Sequence, residues 1–217
     1  MKTFYVATLF PEIFSGVLNS SMLFKAQDKK IVKFEVINIR DFGLGSRLRV
    51  DDSPYGGGDG MLLMVEPLYK TISYVKALSD HKLTIILPSP RGETYLQSDA
   101  NRLANLESDF LILCPRYEGY DERIVNFVDE VFSIGNFVLT GGDIPAMVIV
   151  DSITRLLPGV LGGETSVINE SFQVDDVSKE FPQYTRPEEF MGLNVPKVLL
   201  SGNHRQIIEW RNLQIKK

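Results

Sequence analysis

The chain has 217 residues, a length that suits one large domain or one domain with a small appendage. Hydrophobic residues make up 44% and charged residues 24%, so the chain can bury a core without disulfide or metal staples. The single cysteine, Cys114, excludes an intrachain disulfide and a cysteine-rich zinc site. The net charge of −5 argues mildly against a polyanionic partner.

The N-terminus and the apolar runs argue against export and membrane insertion. Residues 1–14 contain an apolar run that is too short for a signal peptide, and Pro11 and Glu12 interrupt it. No stretch approaches the roughly 18 apolar residues of a membrane helix. We therefore expect a cytoplasmic protein that has no membrane partner.

The first half of the chain predicts strands and one long helix. Residues 5–10 and 32–39 are rich in β-branched and aromatic residues, a composition typical of strands. Residues 66–78 carry apolar side chains at helical spacing, and Glu66-Pro67 suits the first turn of a helix. Residues 83–87 form a short continuous apolar run, which is typical of a strand buried on both faces.

The second half continues the alternation. Residues 110–114 and 137–140 are further apolar runs that predict strands, and Asp143 is a natural N-cap for a helix over residues 144–157. Strands that alternate with helices predict an α/β domain with a mostly parallel sheet. Residues 158–180 have the composition of a linker, and residues 204–215 predict a final helix.

Basic residues concentrate in two parts of this acidic chain. Residues 186–217 hold six Lys and Arg against three Asp and Glu, and residues 23–49 hold seven against three. Such asymmetry can create a phosphate-binding surface. Ordinary solvated faces explain the same pattern, and charge alone favours that simpler interpretation.

Three glycine-containing loops follow predicted strands. They span residues 88–92, 115–119 and 133–142. In an open α/β sheet the carboxyl ends of the strands bind ligands, so together these loops favour a pocket for a flat polar ligand. Each loop alone is explained by a tight turn. The chain has neither the glycine fingerprint of dinucleotide-binding domains nor a phosphate-binding P-loop, so a nucleotide would be held in another way.

Residues 55–60, Tyr-Gly-Gly-Gly-Asp-Gly, are the most conspicuous glycine-rich stretch. Glycine lets another backbone or a base approach closely, and it leaves the loop flexible. This stretch is a candidate lid, although flexible loops are common and the pattern alone is weak evidence.

Ordered motifs along nearly the whole chain resemble one family. They include Val50-Asp51-Asp52-Ser53-Pro54-Tyr55-Gly56-Gly57-Gly58, Arg116-Tyr117-Glu118-Gly119, Ser133-Ile134-Gly135, Gly141-Gly142, Tyr184-Thr185-Arg186-Pro187 and Ser201-Gly202-Asn203-His204. These motifs are similar to those of bacterial tRNA (guanine-N1)-methyltransferase, which methylates the guanosine just 3′ of the anticodon (position 37).

The resemblance implies a fold and an organisation that composition and spacing do not reveal. The fold would be α/β, with a mostly parallel sheet, helices on both faces and a deep trefoil knot. Residues 1–160 would form the knotted methyltransferase domain, 161–180 a linker, and 181–217 a small, mainly helical tRNA-binding domain. The enzyme would be a homodimer, with its active site at the subunit interface.

The resemblance also implies the residues of the site. S-adenosylmethionine would be held by Ser89, Pro90, Pro115, Tyr117, Glu118, Gly119, Ser133, Ile134, Gly135, Asn136, Phe137, Val138, Leu139, Gly141 and Gly142. The tRNA and its guanine would contact Asp51, Tyr55, Gly56, Gly57, Gly58, Ser171, Arg186 and His204. Arg155 would offset negative charge on guanine O6, and Glu170 would act as general base for the N1 proton.

The sequence departs from the family pattern at several positions. Glu170 occupies the place of an aspartate, which keeps a carboxylate but adds one methylene. Pro115 replaces a glycine and so removes a backbone N–H donor. Asn136 replaces an acidic residue. Residues 43–49 lack the usual histidine, and the C-terminal tail is shorter than in many members.

Two other functions remain open from the sequence alone. Glycine loops at strand ends also suit a nucleotide-dependent α/β enzyme that acts on a small molecule. The changes at Glu170 and Pro115 suit a catalytically impaired homologue that binds tRNA or the cofactor. A Mg²⁺ requirement is compatible with Glu118 and Glu170, although no acidic cage of known spacing supports it.

Overall fold

The computed structural model describes residues 1–162, 170–172 and 175–215, which fall into two compact units. The first unit is Met1–Gly162 and the second is Gly163–Lys217. The finer division predicted from the resemblance, with a linker at 161–180, stays a prediction.

The first unit is built on a five-stranded sheet. Its strands are β1 (Lys2–Thr8), β2 (Val32–Asn38), β5 (Leu83–Thr94), β6 (Asp109–Leu113) and β7 (Glu130–Ser133), while β3 (Asp51–Asp52) and β4 (Leu62–Leu63) form a separate antiparallel pair. The order across the sheet is β2-β1-β6-β5-β7, and every neighbouring pair is parallel. All five carboxyl ends therefore lie at the same edge.

Helices cover both faces of the sheet. The helices of the first unit are α1 (Glu12–Leu18), α2 (Ser21–Asp28), α3 (Val65–Leu78), α4 (Gln97–Ala104) and α5 (Asp143–Thr154), together with 3-10 turns at Ile39–Phe42 and Glu122–Phe127. Phe110 and Ile112 of β6 pack with α1, α2, α4 and α5, whereas Leu111 and Leu113 pack with α3 and both 3-10 turns. Because alternate side chains enter two cores, residues 110–113 of the strand are all apolar.

The predicted α/β class is confirmed, and two local predictions are wrong. Residues 137–140 are not a strand; the strand in this region is β7, which pairs with β5. The apolar side chains of residues 137–139 are exposed instead, and Val138 is 84% exposed. Asp143 does not cap α5: Gly142 is the N-cap, and Asp143 is buried in the first turn. The trefoil knot stays a prediction.

The second unit contains short elements in its described residues. They are β8 (Glu189–Phe190), β9 (Leu193–Asn194), α6 (Lys197–Leu200) and α7 (His204–Gln214), which confirms the predicted final helix. The Asn203 side chain caps α7 by accepting a hydrogen bond from the Gln206 amide. Trp210 and Arg211 of α7 pack on Tyr184 and Phe181, respectively.

Across residues 1–162, 170–172 and 175–215, no helix combines the length and the apolar character that a membrane span requires.

Candidate active site

A cleft of about 310 Å³ opens between an interruption in β5 and the carboxyl ends of β6 and β7. Its volume falls at the lower end of the range of small-molecule pockets. It is lined by Pro88, Ser89, Pro90, Arg91, Pro115, Arg116, Tyr117, Glu118, Gly119, Tyr120, Glu122, Phe132, Ser133, Ile134, Gly135, Phe137, Val138, Leu139, Gly141, Gly142 and Pro145. The three glycine-containing loops predicted from the sequence therefore converge on one cavity.

The first wall of the cleft is an interruption in β5. Pro88 and Glu93 both pair with Phe132 of β7, so the residues between them bulge out of the ladder. Ser89 is buried, and its hydroxyl accepts a hydrogen bond from the Arg91 amide. Gly92 lies against the β7 backbone, where a methyl group would be 2.5 Å from the Val131 carbonyl oxygen. Close packing on β7 therefore fixes the base of this wall.

The second wall is the turn that follows β6. Tyr117 and Gly119 both have left-handed φ angles, of 61° and 124°, and the Gly119 amide donates to the Arg116 carbonyl. The Pro115 carbonyl accepts a hydrogen bond of 2.7 Å from the Gly142 amide. Although proline removes a donor at this position, its carbonyl joins the second wall to the third.

The third wall runs from β7 to α5. The Ser133 hydroxyl donates to the Gly135 carbonyl, and Gly135 has a φ of 146°. Beyond this turn, Phe137 is 55% exposed and Leu139 37%. The wall therefore offers an apolar surface beside a turn whose backbone only glycine adopts easily.

A buried ion pair joins the second wall to the start of α5. Arg116 Nε lies 2.6 Å from Asp143 Oδ2, and the Asp143 side chain is only 2% exposed. The Thr8 hydroxyl at the end of β1 donates to the other carboxylate oxygen, Oδ1. The Arg116 guanidinium also lies over the Phe10 ring, 4.7 Å from its centroid. These contacts fix the relative positions of β1, the second wall and α5.

The glycine-rich residues 55–60 are joined to the second wall by the backbone that follows them. The Leu63 amide donates to the Gly119 carbonyl, the Asp121 amide donates to the Leu63 carbonyl, and the Glu118 amide donates to the Met61 carbonyl. The candidate lid is thus anchored beside the cleft at its C-terminal end.

Comparison with known proteins assigns the chain to a family. The family model described as tRNA (Guanine-1)-methyltransferase TrmD matches residues 1–217. The chain belongs to this family. A curated tRNA (guanine-N(1)-)-methyltransferase of Bacillus velezensis is 52% identical over 94% of this chain and 84% of its own length. Proteins with the same name from Bacillus subtilis and Clostridioides difficile are 50% and 46% identical, over 94% and 96% of this chain and 84% and 90% of their own lengths.

Most of the cofactor residues that the family resemblance implies line the cleft. The exception is Asn136, which is exposed and does not line it. The sequence-based assignment missed Pro88, Arg91, Arg116, Tyr120, Glu122, Phe132 and Pro145. Arg116 was recognisable, since it belongs to the motif Arg116-Tyr117-Glu118-Gly119. Glu122 was recognisable too, since it belongs to the family motif Asp121-Glu122-Arg123, and its carboxylate pairs with Arg91. Phe132 had no local sequence signal, because its place in the cleft depends on the pairing of β7 with β5.

The two residues with predicted catalytic roles lie elsewhere in the chain. Arg155 is the C-cap of α5, at the opposite end of the helix from Gly142, and it does not line the cleft. Glu170 belongs to the second unit and is half-buried. Its motif begins at Asn169, which lies outside the described residues.

The predicted tRNA contacts are distributed over both units. Tyr55 is fully exposed, Gly56, Gly57 and Gly58 are exposed, and Asp51 is half-buried in β3. In the second unit Arg186 and His204 are exposed, and the Ser171 hydroxyl accepts a hydrogen bond from the Glu180 amide. Within the part of the chain that the structure describes, no group of three or more His, Cys, Asp or Glu side chains is placed to hold a metal ion.

Proposed function

We propose that this protein transfers the methyl group of S-adenosylmethionine to N1 of the guanosine just 3′ of the anticodon in tRNA. The observation that carries the proposal is the convergence of three strand-end loops on one cleft, in a chain that belongs to the tRNA (guanine-1)-methyltransferase family. The relatives from Bacillus velezensis and Bacillus subtilis match this chain over 84% of their own length, and both carry the name tRNA (guanine-N(1)-)-methyltransferase.

The lining of the cleft fits the chemistry of S-adenosylmethionine. Exposed apolar side chains at Phe137, Val138 and Leu139 can cover the adenine ring, and the adjoining glycine turns can present backbone groups to its polar edge. The exposed Glu118 carboxylate at the rim suits a cationic ligand. When bound, the cofactor supplies an electrophilic methyl group on its sulfonium.

The two predicted catalytic residues have complementary tasks. The Glu170 carboxylate would accept the proton from guanine N1, which would free the nitrogen lone pair for the methyl group that the bound cofactor would supply. The Arg155 guanidinium stabilises the negative charge that develops on O6 as N1 loses its proton. The glutamate side chain at position 170 is one methylene longer than that of aspartate. It can still act as general base if the backbone around it shifts to compensate for the added length.

The position of Arg155 supports an active site shared between two copies of the chain. α5 has 12 residues and so is about 18 Å long, which separates Arg155 from the cleft at the N-terminal end of the helix. An Arg155 that reaches the cofactor therefore comes from a second copy. Ile144 and Val148 on α5 are 50% and 43% exposed, which suits burial against a partner. We infer a homodimer with the active site at its interface.

The remaining features of the proposal are the tRNA contacts, the division into domains, the metal requirement and the cellular location. The exposed Arg186 and His204 and the glycine-rich residues 55–58 would contact the RNA, with residues 181–217 as the tRNA-binding domain. Residues 1–160 would form the catalytic domain and 161–180 its linker. A Mg²⁺ requirement would be compatible with carboxylates such as Glu118 and Glu170. The enzyme would work in the cytoplasm, where its tRNA substrates are found.

Mapping of the methylated nucleotide tests this function directly. The protein is incubated with S-adenosylmethionine and an unmodified tRNA transcript, and the product is digested and sequenced by mass spectrometry. We expect one methyl group on the guanosine 3′ of the anticodon, and none on a transcript with adenosine there. Methylation of small molecules but never of RNA would overturn the proposal. In single turnover, Glu170→Gln should lower the rate by about 100-fold or more.

Mixing two inactive variants tests the shared site. Arg155→Ala removes the arginine, and Gly142→Val blocks the cofactor cleft. If Arg155 acts on the cleft of its partner, random exchange of subunits restores about a quarter of the sites. If activity does not recover although subunit exchange has been verified, Arg155 acts on the cleft of its own copy.

A further inference from the structure

The last glycine of the glycine-rich stretch lies against a side chain of the cleft. A methyl group placed at Gly60 would be 2.4 Å from Cγ of Glu118 and 3.1 Å from its Oε1 oxygen. Real Cβ atoms do not approach other atoms at 2.4 Å, so any side chain at position 60 would displace Glu118. Gly60 is therefore glycine for a steric reason as well as for its φ of +80°.

The neighbouring glycines have no such contact. Gly57 has the same φ of +80°, yet a methyl group there would meet nothing within 4 Å. At Gly56 the space is also open, and at Gly58 the nearest atom is 3.8 Å away on Pro54. Backbone conformation alone explains these three glycines, whereas the close approach to the cleft occurs at Gly60.

Backbone hydrogen bonds fix the two partners on either side of this contact. The Glu118 amide donates to the Met61 carbonyl at 3.0 Å, one residue beyond Gly60. The Leu63 amide donates to the Gly119 carbonyl at 2.9 Å, one residue beyond Glu118. With both backbones held by these hydrogen bonds, a collision at position 60 is relieved by movement of the Glu118 side chain.

We propose that Gly60 is a positioning residue that sets the Glu118 carboxylate in the cofactor cleft. Because Gly60 has no side chain, the Glu118 side chain can occupy the space beside it. The hydrogen-bonded backbones of the two segments keep Glu118 in this position. This inference rests on the proposed function, because it assigns Glu118 to binding of the cationic cofactor. It adds that the glycine-rich stretch determines where this carboxylate stands, and so determines cofactor affinity.

A matched pair of variants isolates the contact. Gly60→Ala and Gly57→Ala both place an alanine at a φ of +80°, but only Gly60→Ala displaces Glu118. In calorimetry without tRNA, we expect Gly60→Ala to weaken S-adenosylmethionine binding about tenfold and Gly57→Ala to weaken it less than about twofold. In steady state, Gly60→Ala should raise the KM for the cofactor while kcat at saturation stays within about twofold. Equal losses of affinity in both variants would overturn the proposal.

A double-mutant cycle measures the same contact without any ligand. Glu118→Ala removes Cγ and the carboxylate, so Gly60→Ala should then lower the urea midpoint no more than Gly57→Ala does. Even if Gly60→Ala alone fails to fold, the double variant should fold. An unchanged effect of Gly60→Ala in the Glu118→Ala background would refute the contact. Because this cycle uses neither cofactor nor tRNA, it separates failure of the inference from failure of the methyltransferase assignment.

Discussion

The walls of the cleft and the glycine-rich residues 56–58 both depend on glycine, but for different physical reasons. At Gly92 and Gly142 in the walls, glycine is required because neighbouring chain segments occupy the space of a side chain. A methyl group at Gly142 would lie 2.3 Å from Cδ of Pro115 and 3.1 Å from Cα of Cys114. At Gly56 the space is empty, and the φ of +87° is the constraint.

This difference separates a preorganised region from an adaptable one. The walls carry the buried Arg116–Asp143 ion pair and the hydrogen bond between Pro115 and Gly142, so the cleft keeps its shape without a ligand. Residues 56–58 are exposed and have almost no neighbours, so they can adjust to a substrate. A rigid cofactor site beside an adaptable segment suits an enzyme that binds a small donor and a large acceptor.

The largest effect should follow from breaking the ion pair. Arg116→Ala leaves the buried Asp143 carboxylate without its cation, and we expect a loss of about 3–5 kcal/mol in the free energy of unfolding, measured in urea. Arg116→Ala combined with Asp143→Asn removes the uncompensated charge and should lose less. If the double variant loses as much as the single one, charge pairing is not what fixes this wall.

The next largest effect should come from Gly142→Ala. The added methyl group meets Pro115 and the backbone of Cys114, which are fixed by β6, so we expect a loss of about 1–3 kcal/mol in unfolding free energy. Binding of S-adenosylmethionine should weaken as well, because the second and third walls separate. Affinity equal to that of the wild type would show that the walls are adaptable after all.

A smaller effect should follow from Gly56→Ala. No atom lies in the way, so the cost is the left-handed backbone alone, about 1–2 kcal/mol. Cofactor affinity in the absence of tRNA should stay within about twofold of the wild type, as measured by calorimetry. A loss of affinity as large as that of Gly142→Ala would erase the distinction between the two regions.

The smallest effect should be that of Arg91→Ala at the rim of the cleft. Arg91 and Glu122 form an exposed ion pair of 2.9 Å, and such pairs contribute about 0–1 kcal/mol to the free energy of unfolding. Thermal unfolding at low and high salt measures the contribution, which should fade as salt rises. A large, salt-independent loss would indicate that the rim is as rigid as the walls.

Sequence patterns were sufficient for elements whose apolar side chains are the buried ones. β6 and the core of β5 are continuous apolar runs, and α3 carries its apolar residues at helical spacing, so burial and sequence agree. The same logic failed at residues 137–140. Their apolar side chains resemble those of a buried strand, but they face the cleft and are exposed.

The identity of the cleft loops also came from the sequence, through glycine positions and the family motifs. The contacts that join these loops could not be predicted from the sequence, because they depend on partners far apart in the chain. Aspartate is a favoured N-cap residue and Asp143 stands at the start of α5, yet its carboxylate forms an ion pair with Arg116 and accepts a hydrogen bond from Thr8. Its burial against two other strand ends outweighs the local preference for capping.

The sequence by itself determined the alternation of strands and helices, the loops that carry the cleft and the family to which the chain belongs. These follow from local hydrophobic patterns and short motifs, which need no knowledge of distant contacts. Only the tertiary structure decided that Gly60 lies against Glu118 and that Arg116 pairs with Asp143. Arg116 follows a strand of the parallel sheet, and Gly60 reaches Glu118 because residues 61 and 63 hydrogen-bond with residues 118 and 119. Both contacts join residues far apart in the chain, and no local pattern encodes such a distance.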